Sequence, residues 1–161
     1  MILFRISSRR FPPFDGTGAA MNGARWNTPG RFILYCGENL STCRLETLVH
    51  IEPGDALLPR SHHYVEIDVP DAIWDKALVR TRLPKGWDHP THLDVAQEIG
   101  DRWYDGRKSL ILKVPSVAAP GDRVVMINQF HPDFAHLRAS APKPLSWDQR
   151  LLERYRASRK P

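Results

Sequence analysis

Apolar and polar positions along this chain change in short bursts, most of them bounded by a turn-forming residue. Met1 to Ile6 is an apolar run broken only by Arg5 and predicts a first strand. Phe32 to Cys36 is continuously apolar between Gly30 and Gly37, the pattern of a buried strand. His63 to Val69 alternates with period two and stops at Pro70, predicting a third strand. Leu110 to Val114 and Arg123 to Ile127 predict two more. Two stretches switch to helical spacing. Ser41 or Thr42 caps the first, which carries Leu45, Leu48 and Val49 on one face and runs to about Ile51, before Pro53. The second spans Thr91 to Tyr104, with Leu93, Ala96, Ile99, Gly100 and Trp103 in step, a capping pair in Thr91 and Asp94, and Gly106 as its stop. Ile73 and Trp74 fall in a short turn-rich piece, and Ser146 with Gln149 is placed to cap a short terminal helix.

Strands and helices are interspersed without the regular alternation of a doubly wound sheet, so the expected fold is α+β around a mixed or antiparallel sheet. Residues 7–30, rich in Gly, Pro, Asn and Arg, form a long irregular segment of the kind that carries function in a small domain. The length of 161 residues suits one domain spanning 1–161. The formal charge of +5 is scattered, apart from a basic tail over 152–161 that holds Arg154, Arg156, Arg159 and Lys160. A scattered charge selects no partner class, although it keeps open a basic nucleic-acid-binding or RNA-cleaving protein. Against that alternative, the five tryptophans show no basic interleaving of a base-stacking platform. Two cysteines, Cys36 and Cys43, fit neither a zinc site nor a disulfide scaffold. There is no secretory leader pattern and no apolar run of membrane-spanning length, so a cytoplasmic location is expected.

Phosphate loops, the GxSxG elbow and the HExxH zinc helix are all missing, and the histidines lack ligand spacing, so no metal is expected. What remains is a set of polar residues at the ends of predicted elements: Arg25 in the string GARWN at 23–27, Tyr35, Glu46, Ser116 in the triplet VPS at 114–116, and Asn128. Each taken alone has a plainer reading, as a solvated surface residue, a core tyrosine or a turn serine.

Taken in order, these strings resemble the RES family of toxins, named for an Arg, a Glu and a Ser that match Arg25, Glu46 and Ser116. LFRI at 3–6, the Leu34-Tyr35 and Leu45-Glu46 pairs, Ile127-Asn128 and HPDF at 131–134 extend the likeness from Leu3 to about Leu151. Ala24, Cys43 and Gln129 depart from the family's common Gly, Ala and Pro. The resemblance implies an ADP-ribosyltransferase-like split sheet with flanking helices around a cleft for NAD⁺, which is substrate rather than resident cofactor. It implies a toxin that breaks the nicotinamide–ribose bond and passes ADP-ribose to water, phosphate or a protein acceptor. The implied partner is an antitoxin with an Xre-like helix-turn-helix domain that blocks the cleft; neither a membrane nor direct nucleic-acid binding is implied.

The chemistry constrains roles. Nicotinamide leaves as a neutral molecule from a cationic linkage, so no general acid is required, and the ribose passes through an oxocarbenium-like state. A carboxylate that meets this developing charge accelerates the step, which suits Glu46. A guanidinium forks onto a diphosphate, which suits Arg25, with Arg5 as a second candidate. Tyr35 can stack on nicotinamide or ribose. Ser116 can donate to a phosphate or ribose oxygen, and Asn128 is a candidate ribose contact or a support for one.

Overall fold

The computed structural model describes residues 1–9, 11–50 and 62–151. Among the described residues, eight strands form one mixed sheet. They are β1 (Ile2–Ser8), β2 (Ile33–Gly37), β3 (His62–Asp68), β4 (Leu78–Val79), β5 (Ile111–Pro115), β6 (Arg123–Asn128), β7 (Arg138–Ala139) and β8 (Lys143–Pro144). Their order is β4-β5-β6-β2-β1-β3-β7, with β8 also on β3. Among the described pairings only the short β4–β5 pair is parallel. The helices are α1 (Thr17–Asn22), α2 (Leu40–Val49), α3 (Asp71–Trp74) and α4 (Asp94–Gly106), followed by a 3₁₀ turn at Pro132–His136.

Side-chain alternation divides the sheet into two faces. On one face Leu3, Leu34, Val65, Ile67, Val125 and Ile127 form a continuous core, closed by Phe14, Trp74, Phe134 and Leu137. Burying each of these aliphatic side chains contributes about 1.5–3 kcal/mol. The other face carries two separate clusters. Ile33, Leu112, Val114 and Met126 pack against Trp26 and the α4 residues Ala96, Trp103 and Tyr104. Ile6 of β1 and Tyr64 of β3 pack against Leu40 and Leu48 of α2, with Leu145 and Trp147 beneath. A gap is left between these clusters, over the junction of β1 and β2.

The junction itself is open. β1 and β2 share one paired position, Phe4 with Gly37. Where the ladder would continue, Arg5 reaches across, its Nη1 donating to the Tyr35 carbonyl at 3.2 Å. Its Nε and Nη2 donate to the carbonyls of Pro13 (2.8 Å) and Asp15 (2.9 Å). A guanidinium thus replaces the missing ladder bonds and ties the 13–15 segment to the split. Burial lowers the pKa of Arg5, with Cys36 and Asp15 opposing that shift.

The predicted strands and both long helices are present, with shifted ends. Asn39, in extended conformation, caps α2 by accepting from the Thr42 amide at 2.8 Å, in place of Ser41 or Thr42. Helix α4 begins at Asp94 without a side-chain cap, because Leu93, whose side chain has no acceptor, occupies the cap position and Thr91 lies two residues before it. Within the expected irregular stretch, Thr17–Asn22 is helical. It is anchored by the Gly30 amide on the Ala20 carbonyl at 2.8 Å, a tie too distant for local periodicity to show. Positions 51 and 152–161, which the expected end of the first helix and the basic tail occupy, lie outside the described residues.

Candidate functional site

A cavity of about 490 Å³ fills the gap over the split. That volume lies in the range of small-molecule sites. Its walls come from β1 (Arg5, Ser7), α1 and the following turn (Gly18 to Trp26), β2 (Tyr35, Cys36), α2 (Thr42, Glu46) with His50 just past its end, and the residues flanking Ser116.

The Arg25 wall is built by a tight turn. The Ala24 amide donates to the Asn27 carbonyl at 2.9 Å and the Asn27 amide to the Ala24 carbonyl at 3.3 Å. Both residues at the tip border the cavity, and Trp26 is at the same time buried against α4. Gly23 has a φ of 69°, and a Cβ there would meet the Asn27 carbonyl oxygen at 2.9 Å, so the turn requires glycine. One face of α4 holds this turn from below. Gln97 Nε2 donates to the carbonyls of Ala24 (3.0 Å) and Asn27 (3.3 Å), and Asp101 accepts from the Thr28 amide and hydroxyl. Gly100, between them, lets the helix touch the Trp26 backbone.

Asn27 links this turn to β2. It is fully buried, its amide donates to the carbonyls of Ala19 (3.0 Å) and Thr28 (2.9 Å), and its Oδ1 accepts from the Tyr35 hydroxyl at 2.7 Å. Burial raises the Tyr35 pKa, so the phenol stays protonated and its ring is fixed as cavity wall.

Glu46 enters from α2. Its Oε1 accepts from the Ser116 hydroxyl at 2.6 Å, and that hydroxyl accepts from the Ala119 amide at 2.8 Å. Oε2 takes no hydrogen bond from the described residues. A second tie runs from the Thr42 hydroxyl to Asp122, while the Thr42 amide donates to Asn39 at 2.8 Å. Helix α2 is therefore pinned twice to the turn joining β5 and β6.

The structure brings Arg5, Arg25, Tyr35 and Glu46 to one cavity, with Ser116 behind Glu46. Ser116 is buried and its hydroxyl is spent on protein partners, so it supports the carboxylate instead of facing the cavity. Asn128 is outside the cavity wall. It is fully buried, donating to the Tyr104 carbonyl at 3.1 Å and accepting from the Phe130 amide at 3.0 Å. Its position at the end of β6 suggested a site residue, but the side chain closes the turn that follows. Arg5, with three N–H groups on carbonyls, is the brace of the split as well as part of its wall.

Sequence reasoning passed over His50 and His62, which also line the cavity. His50 follows Glu46 by four residues and so shares its helical side, a signal that was available. Cys36 and Cys43 line it too, and burial pushes both thiols up to about 12.

Comparison with known proteins bears on this geometry. The RES domain family model matches residues 2–148. A Prs ADP-ribosylating toxin of Sphingobium sp. (strain YBL2) is 35% identical over 142 residues, covering 87% of this chain and 87% of the relative. A Toxin Res of Photorhabdus laumondii subsp. laumondii is 33% identical over 157 residues, covering 95% of this chain and 98% of the relative. In fold, the chain is similar to one from the crystal structure of the M. tuberculosis MbcT–MbcA toxin–antitoxin complex. The TM-score is 0.70 with 16% identity, covering 97% of this chain and 88% of that one.

Proposed function

The chain belongs to the RES domain family, and on that premise we propose that it is the toxin of a toxin–antitoxin pair and cleaves the nicotinamide–ribose bond of NAD⁺ in the cavity over the split sheet. The observation that carries this reading is the grouping of Arg25, Tyr35 and Glu46 around a single cavity, with Glu46 held by Ser116 at 2.6 Å. The names of the relatives support the same chemistry, one of them being an ADP-ribosylating toxin.

The roles follow from what each group has free. Glu46 offers Oε2 to the ribose and stabilises the positive charge that builds as the bond to nicotinamide lengthens. Ser116 fixes the orientation of that carboxylate, so little reorganisation is needed when the charge develops. Arg25 binds the diphosphate, where a guanidinium matches the phosphate oxygens. Tyr35 presents its ring to nicotinamide or the adjoining ribose, with its hydroxyl already spent on Asn27. Arg5 keeps the split open. The electron pair of the breaking C–N bond leaves with nicotinamide, and an acceptor oxygen or nitrogen then bonds to the ribose carbon and loses its proton. Water, phosphate and a protein side chain all complete that balance, and all share the first half of the reaction. The MbcT–MbcA complex supports an antitoxin as the partner of this chain, and we assign that antitoxin to the Xre-like helix-turn-helix class.

Nicotinamide release from NAD⁺ by the purified, antitoxin-free chain tests the reading, with Glu46→Gln run beside it. Release by the parent and a loss on the order of a hundredfold or more in the variant is the expected result. Phosphate dependence, labelled protein in a lysate, or free ADP-ribose then identifies the acceptor. A folded parent that releases no nicotinamide under any of these conditions refutes the proposal.

A further inference from the structure

Arg25 is held by a segment that forms no part of the cavity wall. Its Nη1 donates to the backbone carbonyls of Trp87 (3.3 Å) and His89 (2.9 Å). Both belong to a turn between β4 and α4, made possible by Gly86 at a φ of 91° and closed by the His89 amide on the Gly86 carbonyl at 3.1 Å. Two contacts seat this turn. The Trp87 ring stacks on Trp26, the residue after Arg25, with centroids 5.7 Å apart and planes 28° from parallel. His89 Nδ1 accepts from the amides of Thr91 (3.3 Å) and His92 (3.0 Å), tying the turn to the start of α4. The indole is partly buried in the same cluster that packs β2, β5 and β6 against α4.

A long arginine side chain on a turn samples many rotamers, and binding a diphosphate through it requires freezing one of them. Two carbonyls that take Nη1 from outside freeze the guanidinium beforehand, leaving the rest of the fork for an anion. The carbonyls are backbone atoms, so their position depends on what holds the turn. Trp87 does this through the ring next door to Arg25 itself.

We propose that Trp87 is a positioning residue for Arg25: by stacking on Trp26 it seats the 84–92 turn, whose carbonyls aim the guanidinium at the diphosphate of the substrate. This rests on the NAD⁺ reading of the cavity. It predicts a defect in substrate binding rather than in bond cleavage, because Glu46 and its Ser116 support belong to other elements, α2 and the turn after β5.

The experiment is a kinetic cycle of nicotinamide release using the parent, Trp87→Ala, Arg25→Lys and the double variant, with thermal unfolding of each. Trp87→Ala is expected to raise KM by about tenfold with kcat within about threefold, the scale of one immobilised side chain. Trp87→Phe, which keeps a flat ring, recovers most of the loss. In the Arg25→Lys background, Trp87→Ala adds little, since Trp87 acts through the guanidinium. An unchanged KM in Trp87→Ala, or an equal KM rise in both Arg25 backgrounds, overturns the proposal. Should Trp87→Ala fail to fold, Trp87→Leu keeps apolar volume without the stacking face, and the same comparison decides. A folded parent without nicotinamide release overturns the NAD⁺ reading itself and this proposal with it, an outcome distinct from a parent that turns over while Trp87→Ala keeps its KM.

Discussion

Replacing Gly100 with alanine inverts a familiar expectation. Within a helix, Gly→Ala ordinarily stabilises by about 1 kcal/mol, because alanine has less backbone freedom to lose. Gly100 lies inside α4, yet a Cβ built there would meet the Trp26 carbonyl oxygen at 1.8 Å, its carbon at 2.8 Å and the Trp26 Cβ at 3.1 Å. Ordinary contact between such atoms is roughly 3.5 Å. Backbone rather than a pliable side chain is in the way, so the helix and the Ala24–Asn27 turn must separate. Separation strains the Gln97 bonds to Ala24 and Asn27 and the Asp101 bonds to Thr28. Overpacking of this kind costs about 1–3 kcal/mol, to which the weakened polar contacts add, outweighing the helical gain. The net expectation is a loss of about 2 kcal/mol, or roughly 4–8 °C in Tm for a chain of this size. Because the displaced turn carries Arg25, KM for NAD⁺ should rise as well. Gly106→Ala is the internal control: it lies in the same helix with nothing within 4 Å of its Cβ, and should be neutral or mildly stabilising. Scanning calorimetry of the two variants beside the parent decides the matter. A Gly100→Ala protein as stable as Gly106→Ala would refute the argument that close backbone approach sets the Arg25 turn.

Two further outcomes are expected. Ser116→Ala removes the hydroxyl that orients Glu46 and leaves the Ala119 amide without its acceptor, so kcat should fall by up to about a hundredfold with KM nearly unchanged. An equal loss in KM would instead put the hydroxyl in contact with substrate. His63 is buried with Nε2 unpaired among the described residues, and burial, followed by Arg9, His62 and Arg5, lowers its pKa. The folded chain therefore disfavours its protonation, and as pH falls through the ordinary value of 6.5 the unfolded chain takes up the proton more readily. Its contribution is intact above that pH and lost as pH falls below it. Urea titrations from pH 7.5 to 5 should show stability declining in the parent and a shallower decline in His63→Gln; identical slopes would contradict this assignment.

Much of this architecture was legible in the residues. Runs such as Phe32–Cys36 and Arg123–Ile127 are apolar on both faces because both faces of β2 and β6 are covered, by separate cores. Arg25, Tyr35 and Glu46 could be picked out through family resemblance, and all three border one cavity. What could not be read locally depends on contacts distant in sequence. The sequence offers the Ser116 hydroxyl as a donor to a phosphate or ribose oxygen, and its 2.6 Å hydrogen bond to Glu46, a residue 70 positions earlier, is beyond the reach of local pattern. Arg5 is, beside Arg25, a second candidate for the diphosphate because a guanidinium forks onto phosphate oxygens. Its carbonyl partners at residues 13, 15 and 35 give it a second, architectural reason to be there. Asn128 illustrates the opposite case, a polar strand end whose bonds are entirely internal. The cap of α2 moved to Asn39 because the extended backbone at that residue brings its carboxamide onto the Thr42 amide.

The double pinning of α2 to the β5–β6 turn also has a consequence in time. Arg5, Arg25, Tyr35 and Glu46 all lie in the first third of the chain, while the groups that hold them, among them Gln97, Gly100, Ser116 and Asp122, lie in the later part. A ribosome delivers these cavity-lining groups first and their scaffolding afterwards. Until residues past 122 have emerged, Glu46 has no serine to orient it and the Arg25 turn has reached its helical support only recently. A chain that stops short of Asp122 thus carries Arg25 and Glu46 without the full set of partners that holds α2 and the carboxylate in place.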